Sequence, residues 1–382
     1  MRYRIVHLAD LHLDMPFSGL SRGSQVSNAR REGLRQALKQ TIGLAREFEA
    51  TALTIGGDLY ESDHVSPDTA SFLRQQFENA SPLKIFIAPG NHDPYTYSSP
   101  YANIDWPSNV IIFREPELKP VGLEAGLTLW GAGHDKADFT TPLLSKFHMP
   151  DRSPALLLLH GTDRAISLGK DKRAFCPFSE DEIRKAGFSL ALLGHIHRHK
   201  LQPSSKPFLC YPGSPEPLGF DEEDGHSILL AEWLGGEWKI ESRDISRWLC
   251  RTKQIDITDF SSRDVVVERL RSLWTEERKS KYCLARVELT GQPMASLELD
   301  LSAIQIALAS DFKEIYLTDS TTLPFNVNEL KNDTTVLGVF VRRMLLEIKA
   351  AKQSNDQNRL RIAEKALQYG LMAFEPRGVI NL

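Results

Sequence analysis

Five short apolar runs in the first half of the chain each lead into residues that ligate metals. This pairing of strand and ligand constrains the fold more than any other feature. The runs are Arg4–Ala9, Thr51–Ile55, Leu83–Ala88, Leu156–Leu159 and Leu190–Leu193. Runs this short, apolar on both faces, read as strands of a sheet covered by helices. Helical patterns lie between the first of them. Ala29–Ala50 places Leu34, Leu38, Ile42, Ala45 and Phe48 on one face, and Asp68–Asn79 reads as a second helix. The class that follows is α/β.

Further along, Gly235-Gly236 separates Ser227–Leu234 from Glu237–Ile245 and signals a hairpin that closes the first domain. From about Trp248 the order changes to strand Arg251–Ile257, helix Ser261–Glu277, strand Tyr282–Thr290, helix Ser296–Ser310 and strand Glu314–Asp319. That βαβαβ order suits a small α+β domain. Thr321–Asn332 is polar, carries a proline and reads as a linker. The remainder is helical, with Val336, Val339, Phe340, Met344 and Ile348 in one stripe. Ile362, Ala366 and Leu367 continue a second helix after Ser354-Asn355-Asp356. The expected domains are 1–245, 246–322 and 323–382.

The chain has 382 residues, 41% hydrophobic and 25% charged, which excludes a disordered or fibrous chain. Net charge is −4, from 46 Lys+Arg against 50 Asp+Glu, so a generally basic nucleic-acid binder is disfavoured while a local basic groove is not. Cys176, Cys210, Cys250 and Cys283 are widely spaced with no C-x-x-C pair, which predicts reduced thiols. The apolar stretch from Ile5 is broken by Asp10 and His12 before a signal-peptide core or a spanning helix is complete. The expected location is the cytoplasm, with no membrane attachment.

The strand ends carry the chemistry. In order they are Asp10-Leu11-His12, Gly56-Gly57-Asp58, Gly90-Asn91-His92-Asp93, His160-Gly161 and Gly194-His195-Ile196-His197. Sheets of this class place their sites at the carboxyl ends of strands, so the five segments can converge on one cleft. In extended chain, residues two apart point the same way, so Asp10 with His12 and His195 with His197 can each offer two donors. A lone histidine in any one segment is more often a surface or satisfied buried residue; the ordered combination is what argues for a site. Carboxylate, imidazole and amide donors without thiolate suit Mn²⁺, Fe or Zn²⁺. Seven candidates, Asp10, His12, Asp58, Asn91, His160, His195 and His197, exceed one site and fit two ions sharing a carboxylate, a centre suited to phosphoryl transfer.

These ordered motifs resemble the calcineurin-like metallophosphoesterase superfamily over about residues 1–245. More narrowly, the chain resembles the SbcD-type (YhaO-like) DNA double-strand-break repair nuclease subunit. That likeness rests on Gly194-His195-Ile196-His197-Arg198, on Tyr211-Pro212-Gly213-Ser214-Pro215-Glu216-Pro217-Leu218-Gly219-Phe220-Asp221-Glu222, and on the small domain that follows. The resemblance implies a β-sandwich flanked by helices, a small α+β capping domain and C-terminal helices that dock a partner. It implies Asp10, His12, Asp58 and His197 around one ion, and Asp58, Asn91, His160 and His195 around the other, with Mn²⁺ as the expected metal. It gives His92 the scissile phosphate and the leaving group, and Asp93 the task of orienting His92.

One position departs from the archaeal and eukaryotic pattern: Glu61 stands where those members carry a histidine. It also reads as a solvated loop acid. His7, His64, His134, His148 and His226 are expected to be structural, and His199 a surface residue.

The implied activity is exonuclease and endonuclease cleavage of DNA at double-strand ends. Candidate phosphate contacts are Arg22, Arg30-Arg31, Lys170 with Lys172-Arg173, and Arg198 with Lys200, although each cluster equally fits a solvated face. The implied partners are DNA, an SbcC-type coiled-coil ATPase and a second copy of the chain, meeting through residues 68–80 and 97–106. The C-terminal stripe either docks the ATPase or packs on the preceding domain. A phosphodiesterase or phosphatase acting on a small nucleotide is the competing enzyme reading. A non-catalytic scaffold is the reading from another class, and the intact ligand set argues against it.

Overall fold

The structure is a computed structural model and describes residues 2–17, 24–150, 154–167, 173–203, 206–294, 297–322 and 327–374. The chain divides into two compact units. One comprises Met1–Cys250 with Ser280–Cys283, and the other Arg251–Lys279 with Leu284–Leu382.

The strands of the first unit run in chain order as β1 (Arg2–Leu8), β2 (Ala52–Ile55), β3 (Lys84–Ile87), β4 (Val110–Ile112), β5 (Lys119–Gly122), β6 (Thr128–Gly131), β7 (Ala155–His160), β8 (Leu190–Gly194), β9 (Lys200–Gln202), β10 (Leu209–Tyr211), β11 (Ile228–Leu234) and β12 (Glu237–Arg243). They form two six-stranded sheets, β12-β11-β1-β2-β3-β4 and β5-β6-β7-β8-β10-β9. Within the first, β1 to β4 are parallel, and within the second β6, β7, β8 and β10 are parallel. The Gly235-Gly236 hairpin forms as expected, with β11 antiparallel to both β12 and β1.

Side-chain parity explains why two sheets stack. Ile5, Ala52, Phe86, Leu156, Leu158, Leu190 and Leu192 fill one shared core between the sheets. Their neighbours in sequence point the other way. Val6, Leu8, Leu53, Ile55, Ile85 and Ile87 pack with Leu34, Leu38, Ile42 and Ala45 of helix α1 (Ser24–Glu47) and with Leu73 and Phe77 of α2 (Pro67–Asn79). Leu157, Leu159, Ala191 and Leu193 pack outward on Ile183 and Ala186. Runs apolar on both faces are therefore the signature of a helix-covered sandwich. His7 adds a polar tie between the layers, with its ring nitrogens on Thr54 Oγ1 at 3.0 Å and the Leu193 carbonyl at 3.1 Å.

Some expectations need correction. Residues 97–106 hold only the single turn α3 (Pro100–Asn103), because Pro100 starts it and Ile104 returns to extended backbone. Helix α4 (Glu180–Ala186) is closed by a capping box between Ser179 and Glu182 and by left-handed Gly187. All four cysteines are buried and outside any disulfide.

The second unit carries most of a three-stranded sheet ordered β13 (Trp248–Asp256), β14 (Tyr282–Thr290) and β15 (Glu314–Asp319), with β14 and β15 parallel. Helices α5 (Arg263–Arg271) and α6 (Leu301–Ala307) connect its strands. Helix α6 starts later than its pattern predicts, because the Asp300 side chain caps the amides of Ser302 and Ala303. The segment read as a linker contains the short helix α7 (Val327–Leu330).

Helices α8 (Val336–Gln353) and α9 (Gln357–Phe374) form a hairpin around Val341, Leu367 and Leu371, with Phe340, Met344 and Ile348 packed on that cluster. The expected stripe is thus divided. Val336, Val339 and Ile362 face solvent, and Ala363 rather than Ala366 joins the buried face. Among the described residues no helix is long and apolar enough to cross a membrane.

Candidate metal centre

The carboxyl ends of β1, β2 and β3 from one sheet, and of β7 and β8 from the other, bring the motifs to one edge of the sandwich. Much of this backbone is held in an unusual conformation. Asp10, His12, Asp58 and His195 all have positive φ, at 53°, 50°, 51° and 96°. Such angles cost about 1–3 kcal/mol each for non-glycine residues and persist where the surroundings impose them. Here the amides of Asp10 and His12 are tied to the carbonyls of Gly57 and Asp58, and the His195 amide donates to Asp10 Oδ1 at 2.9 Å. Gly90 is required by close approach, since a Cβ there would sit 2.3 Å from Asp58 Oδ1 and 2.8 Å from His160 Cε1.

Asp10, His12, Asp58 and His197 offer ligand atoms that all lie within 4.8 Å of one another. The Nε2 atoms of His12 and His197 face each other at 3.2 Å. Asp58 Oδ2 lies 3.7 Å from His12 Nε2 and 3.4 Å from His160 Nε2, so one carboxylate oxygen looks into two groups of donors. In the second group His160 Nε2 is 2.9 Å from Asn91 Oδ1, and the rings of His160 and His195 meet edge-on at 5.2 Å. Donors around one ion with bonds near 2.0–2.2 Å stand roughly 3 Å apart, which these separations approach.

The outer nitrogens support the same reading. His12 Nδ1 is 2.6 Å from Glu61 Oε1, and His197 Nδ1 is 2.6 Å from Glu222 Oε1. With each Nδ1 engaged by a carboxylate, both Nε2 atoms turn toward one shared space 3.2 Å across, where a proton on His197 bridges to His12 and a cation would take its place, so the donor set fits a metal.

Glu61 and Glu222 are the functional side chains that motif reading missed. Glu61 is not a solvated acid. Its side chain is 12% exposed, and its second oxygen binds His92 Nδ1 at 2.8 Å. It therefore orients His92, a task expected of Asp93. Asp93 accepts instead from the amides of Asp58, Leu59 and Gly90 and from the Tyr101 hydroxyl, so it fixes the two ligand loops and does not bond the His92 ring.

Charge is uneven across the site. Burial alone would raise Asp58, but His160, His12 and His92 hold it below the usual carboxylate range. Glu61 is likewise drawn down to about 2 against its burial by the two histidines it binds. The Glu61 hydrogen bond raises His92 to about 9 despite burial. Burial lowers His195 to about 4 and depresses His160 strongly. At His197 burial is outweighed by Glu222 and Asp10, which raise it to about 9. A metal taking His197 Nε2 near pH 7 must displace that proton. Filling the His197 position of the chelator-stripped protein with Mn²⁺ is thus expected to release about one proton. Calorimetry in buffers of different ionisation enthalpy measures this, and a heat independent of buffer would contradict it.

Of the other histidines, His64 and His148 are exposed. His134 Nε2 bonds the His160 carbonyl at 2.9 Å, and His199, half-buried rather than on the surface, has Nδ1 on Ser227 Oγ at 3.0 Å. The candidate phosphate contacts divide. Arg30 is buried, stacked 3.8 Å over the Phe17 ring and bonded to the Pro217 carbonyl, so it belongs to the core. Arg31 donates to the Pro16 carbonyl, and Lys200 pairs with buried Asp163. Arg173 and Arg198 line a cavity of about 610 Å³ together with Asp58, Asn91, His92, His195 and His197. Arg22, Lys170 and Lys172 lie outside the described residues.

Residues 3–199 match the family model for calcineurin-like phosphoesterases. The chain is 25% identical over 346 residues to a Bacillus subtilis (strain 168) protein described as the uncharacterized metallophosphoesterase YhaO, covering 85% of this chain and 83% of that one. The solved structure of TT1561 from Thermus thermophilus aligns with 63% of this chain and 99% of its own, at 14% identity and a TM-score of 0.38. The family is one of metal-dependent phosphoester hydrolases, and its matched segment contains every strand-end motif described above. This chain belongs to the calcineurin-like phosphoesterase family.

Proposed function

We propose that this protein hydrolyses phosphodiester bonds of DNA at double-strand ends, as an SbcD-type exonuclease and endonuclease using two Mn²⁺ ions. The observation that carries the reading is the cavity at the ligand cluster. Arg173 and Arg198 line it, and neither makes a hydrogen bond or ion pair with another described residue. Phe175 completes the wall, with its ring edge-on to His195 at 5.3 Å and its amide held by Thr162 Oγ1 at 3.0 Å. A monoester needs one anion site. Unpartnered guanidiniums beside that site suit the flanking phosphates of a polynucleotide, and a fixed aromatic face suits a base.

Asp10, His12, Asp58 and His197 would hold one ion, and Asp58, Asn91, His160 and His195 the other. Bound there, the ions would supply an activated water and neutralise phosphoryl charge. The protein's own part is to orient and to move a proton. Glu61 holds His92 by Nδ1, which leaves Nε2 to donate to the departing oxygen. The buried Asp93 keeps the Asp58 and Asn91 loops in register by accepting from both.

The net charge of −4 favours a partner that supplies DNA grip. An SbcC-type coiled-coil ATPase is the proposed one, docking on the helical hairpin, where Val336, Val339, Leu346 and Ile362 are exposed. We assign homodimerisation to the faces of α2 and α3, and the cytoplasm as location. The second reading, a phosphodiesterase of small nucleotides, draws on the cavity size, which accommodates a single nucleotide.

A substrate panel separates the two. With Mn²⁺, linear duplex DNA is expected to be degraded and cyclic mononucleotides left nearly intact; the reverse order would overturn the DNA assignment. Arg173→Ala and Arg198→Ala are each expected to raise KM for DNA and to reduce the salt dependence of binding by about one unit of slope. Unchanged slopes would remove both residues from the DNA path.

A further inference from the structure

The two halves of the metal centre are supported from behind by different chemistry. On one side, each outer nitrogen meets a carboxylate that is itself largely buried: Glu61 on His12 and Glu222 on His197, both at 2.6 Å, with 12% and 14% side-chain exposure. Glu222 is fixed further by Ser214 Oγ at 3.0 Å and the Leu218 amide at 2.9 Å, both on its second oxygen. On the other side, His160 Nδ1 rests on the neutral Gly56 carbonyl at 2.8 Å, and among the described residues no carboxylate is bonded to the His195 ring. The direct donors differ in the same sense. Each position has Asp58 and two imidazoles, but the first adds the Asp10 carboxylate whereas the second adds the Asn91 amide.

We propose that the two ion positions are unequal, and that Glu61 and Glu222 are positioning residues that make the Asp10–His12–Asp58–His197 position fill first. A carboxylate behind an imidazole fixes its tautomer, aims Nε2 at the ion and increases its basicity. It also adds negative charge near the cation. Four carboxylates then lie in or directly behind the first position, and one of them, Asp58, serves the second. The proposal rests on the two-ion reading of the site and not on DNA as the substrate.

The geometry says what an amide would do. In Glu61→Gln, one oxygen is left for two imidazoles. The histidine facing the new NH₂ must accept at Nδ1 and carry its proton on Nε2, the atom an ion would need. In Glu222→Gln, Ser214 and Leu218 retain the amide oxygen and turn the NH₂ toward His197, with the same consequence.

The test is a titration of the chelator-stripped full-length protein with Mn²⁺, following the free ion by electron paramagnetic resonance. Two classes of site separated by at least about tenfold in Kd are expected. Glu222→Gln and Glu61→Gln are each expected to weaken the tight class by about 10–100-fold. His160→Ala is expected to delete the weak class and leave the tight one. One affinity for both ions would overturn the proposal. So would glutamine variants that leave the tight class within twofold, or that weaken both classes equally. Thermal melts in chelator report folding. Should Glu222→Gln fail to fold, Glu61→Gln decides, because the Glu61 side chain hydrogen-bonds only the two imidazoles among the described residues.

Discussion

Replacing Asp58 by asparagine is expected to lower Mn²⁺-supported phosphodiester hydrolysis by about 10³-fold or more. Its Oδ2 is the one carboxylate oxygen aimed at both groups of donors, 3.7 Å from His12 Nε2 and 3.4 Å from His160 Nε2. Metal assistance at a phosphoryl group is worth several kcal/mol, and about 1.4 kcal/mol is tenfold in rate. Weakening both ions together therefore removes most of the enhancement. Asparagine preserves the volume and an oxygen for the His92 amide, which now donates to Asp58 Oδ1 at 2.8 Å, so the loop should keep its shape. The check is kcat/KM on bis(p-nitrophenyl) phosphate, with circular dichroism confirming the fold. Activity within tenfold of the parent would remove Asp58 from the centre of the chemistry.

The second large effect is His92→Ala. His92 lies outside both ligand groups yet lines the same cavity, and Glu61 fixes its Nδ1 at 2.8 Å. General acid catalysis contributes about 10²–10⁴-fold. That contribution depends on how badly the departing oxygen needs a proton. An alkoxide leaving from DNA needs one; p-nitrophenolate hardly does. The His92→Ala deficit should therefore be large on DNA and at least about tenfold smaller on the aryl diester, with two ions still bound. Equal deficits on both substrates would point to a binding role instead.

Much of this was legible because its physics is local. A buried strand of a covered sheet is apolar at every position, and that pattern located β1, β2, β3, β7 and β8 to within two residues at each end. The ligand motifs were legible for the same reason, since each lies directly behind its strand. Strands β4, β5 and β9 are about as short as β2 and β3 but only partly buried or exposed, so no apolar run marks them. Helix α9 shows a subtler limit. Ile362 is apolar but turned outward, because the packing of the hairpin selects Ala363, Leu367 and Leu371.

The carboxylates behind the histidines lie beyond local reasoning altogether. Glu222 meets His197 from 25 residues further along the chain, and Glu61 meets His92 across 31 residues that include helix α2. Nothing in Asp58-Leu59-Tyr60-Glu61 distinguishes an exposed loop acid from one buried between two imidazoles. The same holds for Arg30, which reads as a surface cation and lies instead on Phe17 in the core. Charged residues are assigned by what the fold places beside them.

The central claim is a two-ion centre divided by Asp58, and anomalous diffraction from Mn²⁺-soaked crystals tests it most directly. Two anomalous peaks about 3.5–4 Å apart are expected. One should lie among Asp10, His12 and His197, the other among Asn91, His160 and His195, with Asp58 between them. A single peak at saturating Mn²⁺, or a pair with Asp58 on neither, would contradict it.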